Sequence, residues 1–298
     1  MSKVSVFDTE TVLPDRQLSA RETGLLGFSK RYDRVYKQLR LLLDLGHLDA
    51  WSKDYHHGVL PICSLVADQY PMVIFHGDVG TGKTAMAECI ANRIVRESST
   101  EDSVLLKLSN RVRGSGKVGE MGTLLTQVWA EVAEAAGKNR RAILLIDEGD
   151  SIAASRSQSQ SHHEDKVAVN TLIQGVDEMR KYNGRVVVFL CTNRLSVLDA
   201  ALQRRAAIVE EFRRPDSEER KALFEMDLQG MRLTDNQFQE LAVLTGAQAD
   251  RPGWTYSDIR TRLYPAALSL AYPDRALTFK DLKDTISSLR PSPVMEDK

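Results

Sequence analysis

Gly77-Asp78-Val79-Gly80-Thr81-Gly82-Lys83-Thr84 is the stretch of this chain whose residue types and spacing do the most recognisable chemistry. It fits G-x-x-x-x-G-K-[ST]. The apolar run Met72-Val73-Ile74-Phe75 precedes it, and Ala85-Met86-Ala87-Glu88-Cys89-Ile90-Ala91, rich in helix formers, follows. That strand–loop–helix setting is the one in which the motif cradles a phosphate. Glycines let the backbone wrap an anion with several N–H groups turned inward. The new helix adds its positive end to the same site. Lys83 can reach the β- and γ-phosphates of a nucleotide, and Thr84 can ligate Mg²⁺. A plain glycine-rich turn is the competing reading, and the flanking pattern argues against it.

Three further elements decide whether such a loop only binds a nucleotide or also turns it over. Ile143-Leu144-Leu145-Ile146-Asp147-Glu148 is an apolar strand ending in two acids. It places Asp147 near the metal and Glu148 beside the γ-phosphate, where Glu148 can activate water. Val188-Phe189-Leu190-Cys191-Thr192-Asn193 ends a second apolar strand on Asn193, which can hold the same water. Asn at a strand end is often a turn residue, so its place after Glu148 carries the reading. Arg204-Arg205, beside a strand start, is either a surface patch or a finger that reaches a neighbouring subunit's γ-phosphate.

These residues need a scaffold. Five short apolar runs read as strands: Val73–His76, Val104–Leu108, Ala142–Asp147, Val186–Thr192 and Ala207–Phe212. Helical segments lie between them, so the pattern is α/β with a parallel sheet. Tyr32, Val35, Leu39, Leu42 and Leu43 recur at helical spacing within residues 25–48. Residues 1–22 are polar and weakly periodic, which predicts an arm or tail. A large α/β domain is expected over 23–214. At Arg213-Arg214-Pro215 the pattern changes, and Asp216 with Glu219 has capping-box spacing. A small helical lid domain with a C-terminal tail is expected over 215–298.

Composition bounds the rest. The 298 residues are 42% hydrophobic with net charge −1, which gives no global pull toward nucleic acid or an anionic membrane. No apolar run approaches the ~20 residues of a membrane span. The start lacks a signal-peptide core. Cys63, Cys89 and Cys191 have no metal-type spacing, and Cys89 and Cys191 read as small core residues. A reducing, cytoplasmic setting fits best. His56-His57 and His162-His163 with Glu164 read as loop residues rather than metal ligands.

Taken in order, Gly77–Thr84, Ile146 to Ala153, Val169-Asn170-Thr171-Leu172-Ile173 with Asp177, and Thr192-Asn193-Arg194 through Leu202 resemble the AAA+ ATPases over roughly residues 25–290. The resemblance implies a P-loop α/β domain with a five-stranded parallel sheet, a small α-helical lid, ATP and Mg²⁺ as ligands, and a homohexameric ring. It also implies that Leu26, Gly27 and Ala85 touch the nucleotide. Arg204-Arg205-Ala206-Ala207-Ile208 is similar to the pachytene-checkpoint ATPases, with Arg205 as the finger and Arg204 auxiliary. Ser257 to Pro265 is similar too, and leaves Arg260 and Arg262 both open as the lid arginine. The family's pore loop aligns with Gly116-Lys117-Val118-Gly119-Glu120, where Lys117 stands in the place of an aromatic. Lys117, Val118 and Gly119 are the implied substrate contacts.

That family remodels HORMA-domain proteins, and its compact bacterial members accompany them in cyclic-oligonucleotide antiphage systems. The expected activity is therefore ATP-driven protein remodelling. A motor threading single-stranded DNA is the alternative, since Arg111, Arg113 and Lys117 would line a basic ring. The neutral net charge and the lack of a DNA-binding module favour protein.

Overall fold

The structure is a computed structural model that describes residues 5–43, 45–98, 103–113, 119–153 and 163–295. In chain order the elements are β1 (Phe7–Leu13), α1 (Arg16–Thr23), α2 (Phe28–Leu43), α3 (Leu45–His56), α4 (Pro61–Ala67), β2 (Met72–Gly77), α5 (Lys83–Glu97) and β3 (Ser103–Leu108). Then come α6 (Glu120–Ala136), β4 (Ala142–Ile146), α7 (His163–Met179), β5 (Val186–Thr192), α8 (Ala200–Gln203) and β6 (Ile208–Phe212). Four helices follow: α9 (Ser217–Asp227), α10 (Asp235–Leu244), α11 (Tyr264–Ala271) and α12 (Phe279–Ser288).

The five expected strands form, and a sixth joins them. The sheet order is β1-β3-β4-β5-β2-β6. β3, β4, β5 and β2 run parallel, while β1 pairs antiparallel with β3. The five-stranded expectation is corrected to six, and residues 7–13 are an edge strand rather than part of an arm. The physical reason lies in the sequence Phe-Asp-Thr-Glu-Thr-Val-Leu. Only Phe7 and Leu13 are buried. An edge strand is held by backbone hydrogen bonds along one side, so it needs little apolar alternation.

Every residue of β4 and β5 is buried, as expected for central parallel strands covered on both faces. Trp129 and Val132 of α6 and Leu172 and Val176 of α7 pack in one core with Leu106, Leu144 and Val188 of the sheet. Tyr32, Val35 and Leu39 of α2, and Ile90 and Ile94 of α5, are also fully buried. Cys89 and Cys191 are 0% exposed and form no disulfide, and burial pushes the Cys89 thiol up to about 11. The parallel register sets Ile146 opposite Leu190 and His76 opposite Thr192. Asp147 and Asn193 therefore leave the sheet at the carboxyl ends of β4 and β5, the edge where ligands bind in such sheets.

The chain divides into two compact units. Among the described residues, the first holds those up to His76 and Thr84–Glu211; the second holds Gly77–Lys83 and those from Phe212 onward. The second is helical, and the capping box expected at Asp216 and Glu219 is formed. Thr234 with Gln237 and Thr278 with Asp281 cap α10 and α12 in the same way. Leu223, Phe224, Leu241, Trp254, Leu263 and Leu282 are buried in this unit. Pro265 lies in the first turn of α11, directly after a π-helical stretch at Asp258–Leu263.

Gly175 of α7 lies directly against Trp129 of α6. A Cβ there would stand 1.9 Å from the Trp129 ring. Gly→Ala inside a helix ordinarily stabilises by about 0.5–1 kcal/mol. Here overpacking, at about 1–3 kcal/mol, should win. Gly175→Ala is expected to lower the urea midpoint at an unchanged slope. A raised midpoint would show that α6 and α7 are not in this contact.

Candidate nucleotide and hydrolysis site

In the second unit, the phosphate loop leaves β2 through three glycines with positive φ: Gly77 at 127°, Gly80 at 74° and Gly82 at 93°. A Cβ at Gly77 would meet the Phe212 carbonyl oxygen at 2.1 Å, and one at Gly80 would meet Thr255 Oγ1 at 2.7 Å. Glycine at 77 and 80 is thus required by space as well as by conformation. Lys83 is 7% exposed. Its Nζ donates to the carbonyls of Gly77 at 2.9 Å and Asp78 at 2.8 Å. Thr81 Oγ1 donates to the same Asp78 carbonyl, and Ser257 N donates to the Gly80 carbonyl. Val79 is exposed. The carbonyls of Gly77, Asp78 and Gly80 are therefore occupied by the chain's own donors.

Thr84 and Ala85 follow Lys83 in the first turn of α5. In the first unit, Thr84 Oγ1 donates to Asp147 Oδ2 at 2.9 Å. Lys107 Nζ, on β3, lies 3.9 Å from the same oxygen and 3.6 Å from Glu88. The Thr84–Asp147 pairing is the one the sequence proposes for a metal. Lys107 was not singled out there, since one lysine at the end of an apolar strand carries no spacing signal.

Glu148 has φ 50°, a left-handed conformation that is costly for a side chain of this kind. Its backbone N–H donates to the Asp147 carboxylate. Its own carboxylate accepts from Arg113 Nη2 at 3.1 Å, and the same nitrogen donates to Ser151 Oγ. Both side chains are substantially solvated, so this pair orients Glu148 more than it stabilises the fold. Asp150 accepts from Thr192 Oγ1 at 3.0 Å and from the Asn193 N–H at 3.5 Å. The Ile146-Asp147-Glu148-Gly149-Asp150 turn thereby fixes the end of β5.

Arg205 is committed within its own unit. Its Nε and Nη2 donate to the two carboxylate oxygens of Asp177, and its guanidinium lies 5.2 Å over the Tyr70 ring. Arg204 is exposed beside it. Both line a cavity of about 290 Å³ with Leu65 and Tyr70. In the second unit, Arg260 gives two hydrogen bonds of 2.7 Å to Asp227. Arg262 gives one, of 3.1 Å, to Asp258. Leu26 and Gly27 lie in the turn between α1 and α2, with Gly27 at φ 69°. Gly119 is the N-cap of α6, with φ 84°. Lys117 and Val118 lie outside the described residues, as does His162. Among the described residues no His, Cys, Asp and Glu group is spaced to hold a metal by itself, and no helix is long and apolar enough to cross a membrane.

The family model for the ATPase family associated with various cellular activities (AAA) matches residues 73–214. A CD-NTase-associated protein 6 of Escherichia coli (strain KTE188) is 73% identical over 297 residues, covering 100% of both chains. Among solved structures, a chain of the E. coli MS115-1 HORMA:CdnC:Trip13 complex superposes with a TM-score of 0.91 at 36% identity, covering 99% of this chain and 100% of that one. A Rhizobiales Trip13 superposes with a TM-score of 0.73 at 30% identity, covering 96% of this chain and 99% of that one. With its phosphate loop, its Asp147-Glu148 strand end and these full-length likenesses, the chain belongs to the AAA+ ATPases, in the Trip13 branch of the family.

Proposed function

We propose that this ATPase works as a homohexameric ring that spends ATP on remodelling a HORMA-domain protein in antiphage signalling. The observation carrying this reading is the 0.91 TM-score, over 99% of this chain, to a Trip13 chain solved together with HORMA and CdnC. The site residues are compatible with it. Gly77 to Thr84 would hold the phosphates, and Ala85, Leu26 and Gly27 would lie against the nucleotide. One lid arginine would touch the phosphates. Arg262, held by a single bond, is more readily released for that task than Arg260.

The pair Thr84 Oγ1 and Asp147 Oδ2 offers two hard oxygens side by side. That donor set suits Mg²⁺, which takes few protein ligands and keeps several waters. Bound there, Mg²⁺ would supply charge neutralisation for the polyphosphate. Glu148 would take a proton from the attacking water at its carboxylate, with Asn193 orienting that water. Glu148 must first release Arg113. Arg205, with Arg204 beside it, would act on the ATP of the next subunit, and must first release Asp177.

Sharing of the site between copies has a direct test. Glu148→Gln alone should lose about 10²–10⁴-fold in turnover, and Arg205→Ala alone about 10³–10⁵-fold. Mixed and co-assembled, the two should regain measurable turnover, because some interfaces then pair an intact Glu148 with an intact Arg205. No recovery in proven mixed rings would contradict an interfacial finger.

The partner has a separate test. A HORMA-domain protein added to the wild-type enzyme should raise ATP turnover and become more protease-sensitive while ATP lasts. Stimulation by single-stranded DNA at low salt, with no response to the HORMA protein, would instead mark a nucleic-acid motor.

A further inference from the structure

Asp78 is an awkward residue for a phosphate loop, since a carboxylate there repels an incoming polyphosphate unless it is neutralised. Arg214 neutralises it. Its Nε donates to Asp78 Oδ2 at 2.5 Å, and both side chains are only 12% exposed. The rest of the guanidinium is held by backbone. Nη1 donates to the carbonyls of Gly253 at 2.6 Å and Ser292 at 2.9 Å. Nη2 donates to the Pro293 carbonyl at 2.8 Å. Two of these three carbonyls belong to the segment after α12.

The same segment reaches the loop in two other ways. Met295 N donates to Asp78 Oδ1 at 3.3 Å. Ser292 gives its Oγ at 2.6 Å and its N–H at 3.2 Å to Asp258, which is 1% exposed. Burial opposes the charge on Asp258, but hydrogen bonds from Ser292 and Thr255 outweigh it and hold the carboxyl below the usual range. Asp258 in turn fixes Thr255, accepting from its N–H at 3.1 Å, and the Thr255 side chain packs against Gly80.

We propose that residues 292–295 are a working part of the nucleotide site: they hold Arg214 in the pose that neutralises Asp78 and fixes the phosphate loop. Arg214 and this segment act as positioning groups, through Asp78, and touch no reacting atom. The inference rests on Gly77–Thr84 being the ATP site. A planar guanidinium needs its acceptors in set places. Without the Ser292 and Pro293 carbonyls, two N–H groups lose their partners. The guanidinium then turns to water, and Asp78 is left charged in the loop.

The test is a chain ending at Pro291, compared with the full chain for affinity toward a fluorescent methylanthraniloyl-ATP and for kcat and KM. We expect dissociation constant and KM to rise about tenfold, with kcat at saturating ATP within about threefold, the loss of one or two charge-assisted bonds acting on binding. In an Asp78→Ser background the same truncation should change affinity less than about twofold. The full-length variant Met295→Pro removes one N–H donor to Asp78 and should weaken binding about two- to threefold. It decides the matter if the shortened chain loses its circular-dichroism signal. Unchanged affinity in the folded truncation, or in Met295→Pro when only that variant can be read, overturns the proposal. So does a truncation effect equally large in the Asp78→Ser background. Lys83→Ala serves as the reference: wild-type affinity in that variant would overturn the ATP-site reading itself.

Discussion

The phosphate loop must keep three glycines in positive-φ conformations before any nucleotide arrives, and much of the nearby structure serves that requirement. A flexible loop would lose conformational entropy on binding, and that loss would weaken the affinity. Here the loop is held from inside and from the lid. Lys83 occupies the carbonyls of Gly77 and Asp78, Ser257 occupies the carbonyl of Gly80, and Arg214 holds the Asp78 carboxylate. Gly77–Lys83 belong to the same compact unit as the helices that follow Phe212.

The groups proposed for hydrolysis are restrained in another way. Glu148 sits in a left-handed backbone conformation with its carboxylate on Arg113, and Arg205 rests on Asp177. Each is a charged group paired within its own chain. Such pairing occupies the Glu148 carboxylate and the Arg205 guanidinium until their present partners are released. In the proposed ring, assembly and substrate would have a defined task, which is to replace these intrachain partners. The Glu148–Arg113 pair is largely solvated and contributes little to stability, whereas the two-bonded Arg205–Asp177 pair is half-buried.

What the sequence made legible was set by local pattern. The loop glycines, Lys83, Thr84, Asp147, Glu148 and Asn193 are readable because each follows an apolar strand, in the loop and helix start after β2 or at the ends of β4 and β5, with fixed spacing, and the buried strands β2, β4 and β5 announce themselves by unbroken apolar runs. β1 was not legible, because an edge strand paired through its backbone can carry Asp8, Thr9 and Glu10 at no cost. Nor were Lys107, Asp150 and Arg214. Their roles depend on partners 40 to 136 residues away in sequence. The residues that close an active site around its motif are tertiary, and periodicity does not report them.

If the loop is formed before nucleotide arrives, binding should be a single step. Stopped-flow fluorescence of methylanthraniloyl-ATP mixed with the nucleotide-free wild-type chain measures this directly. The account predicts an observed rate that rises linearly with nucleotide concentration, at an association constant on the order of 10⁵–10⁷ M⁻¹s⁻¹. A rate that saturates at high concentration would mean that the loop must first rearrange, and would contradict a preformed phosphate site.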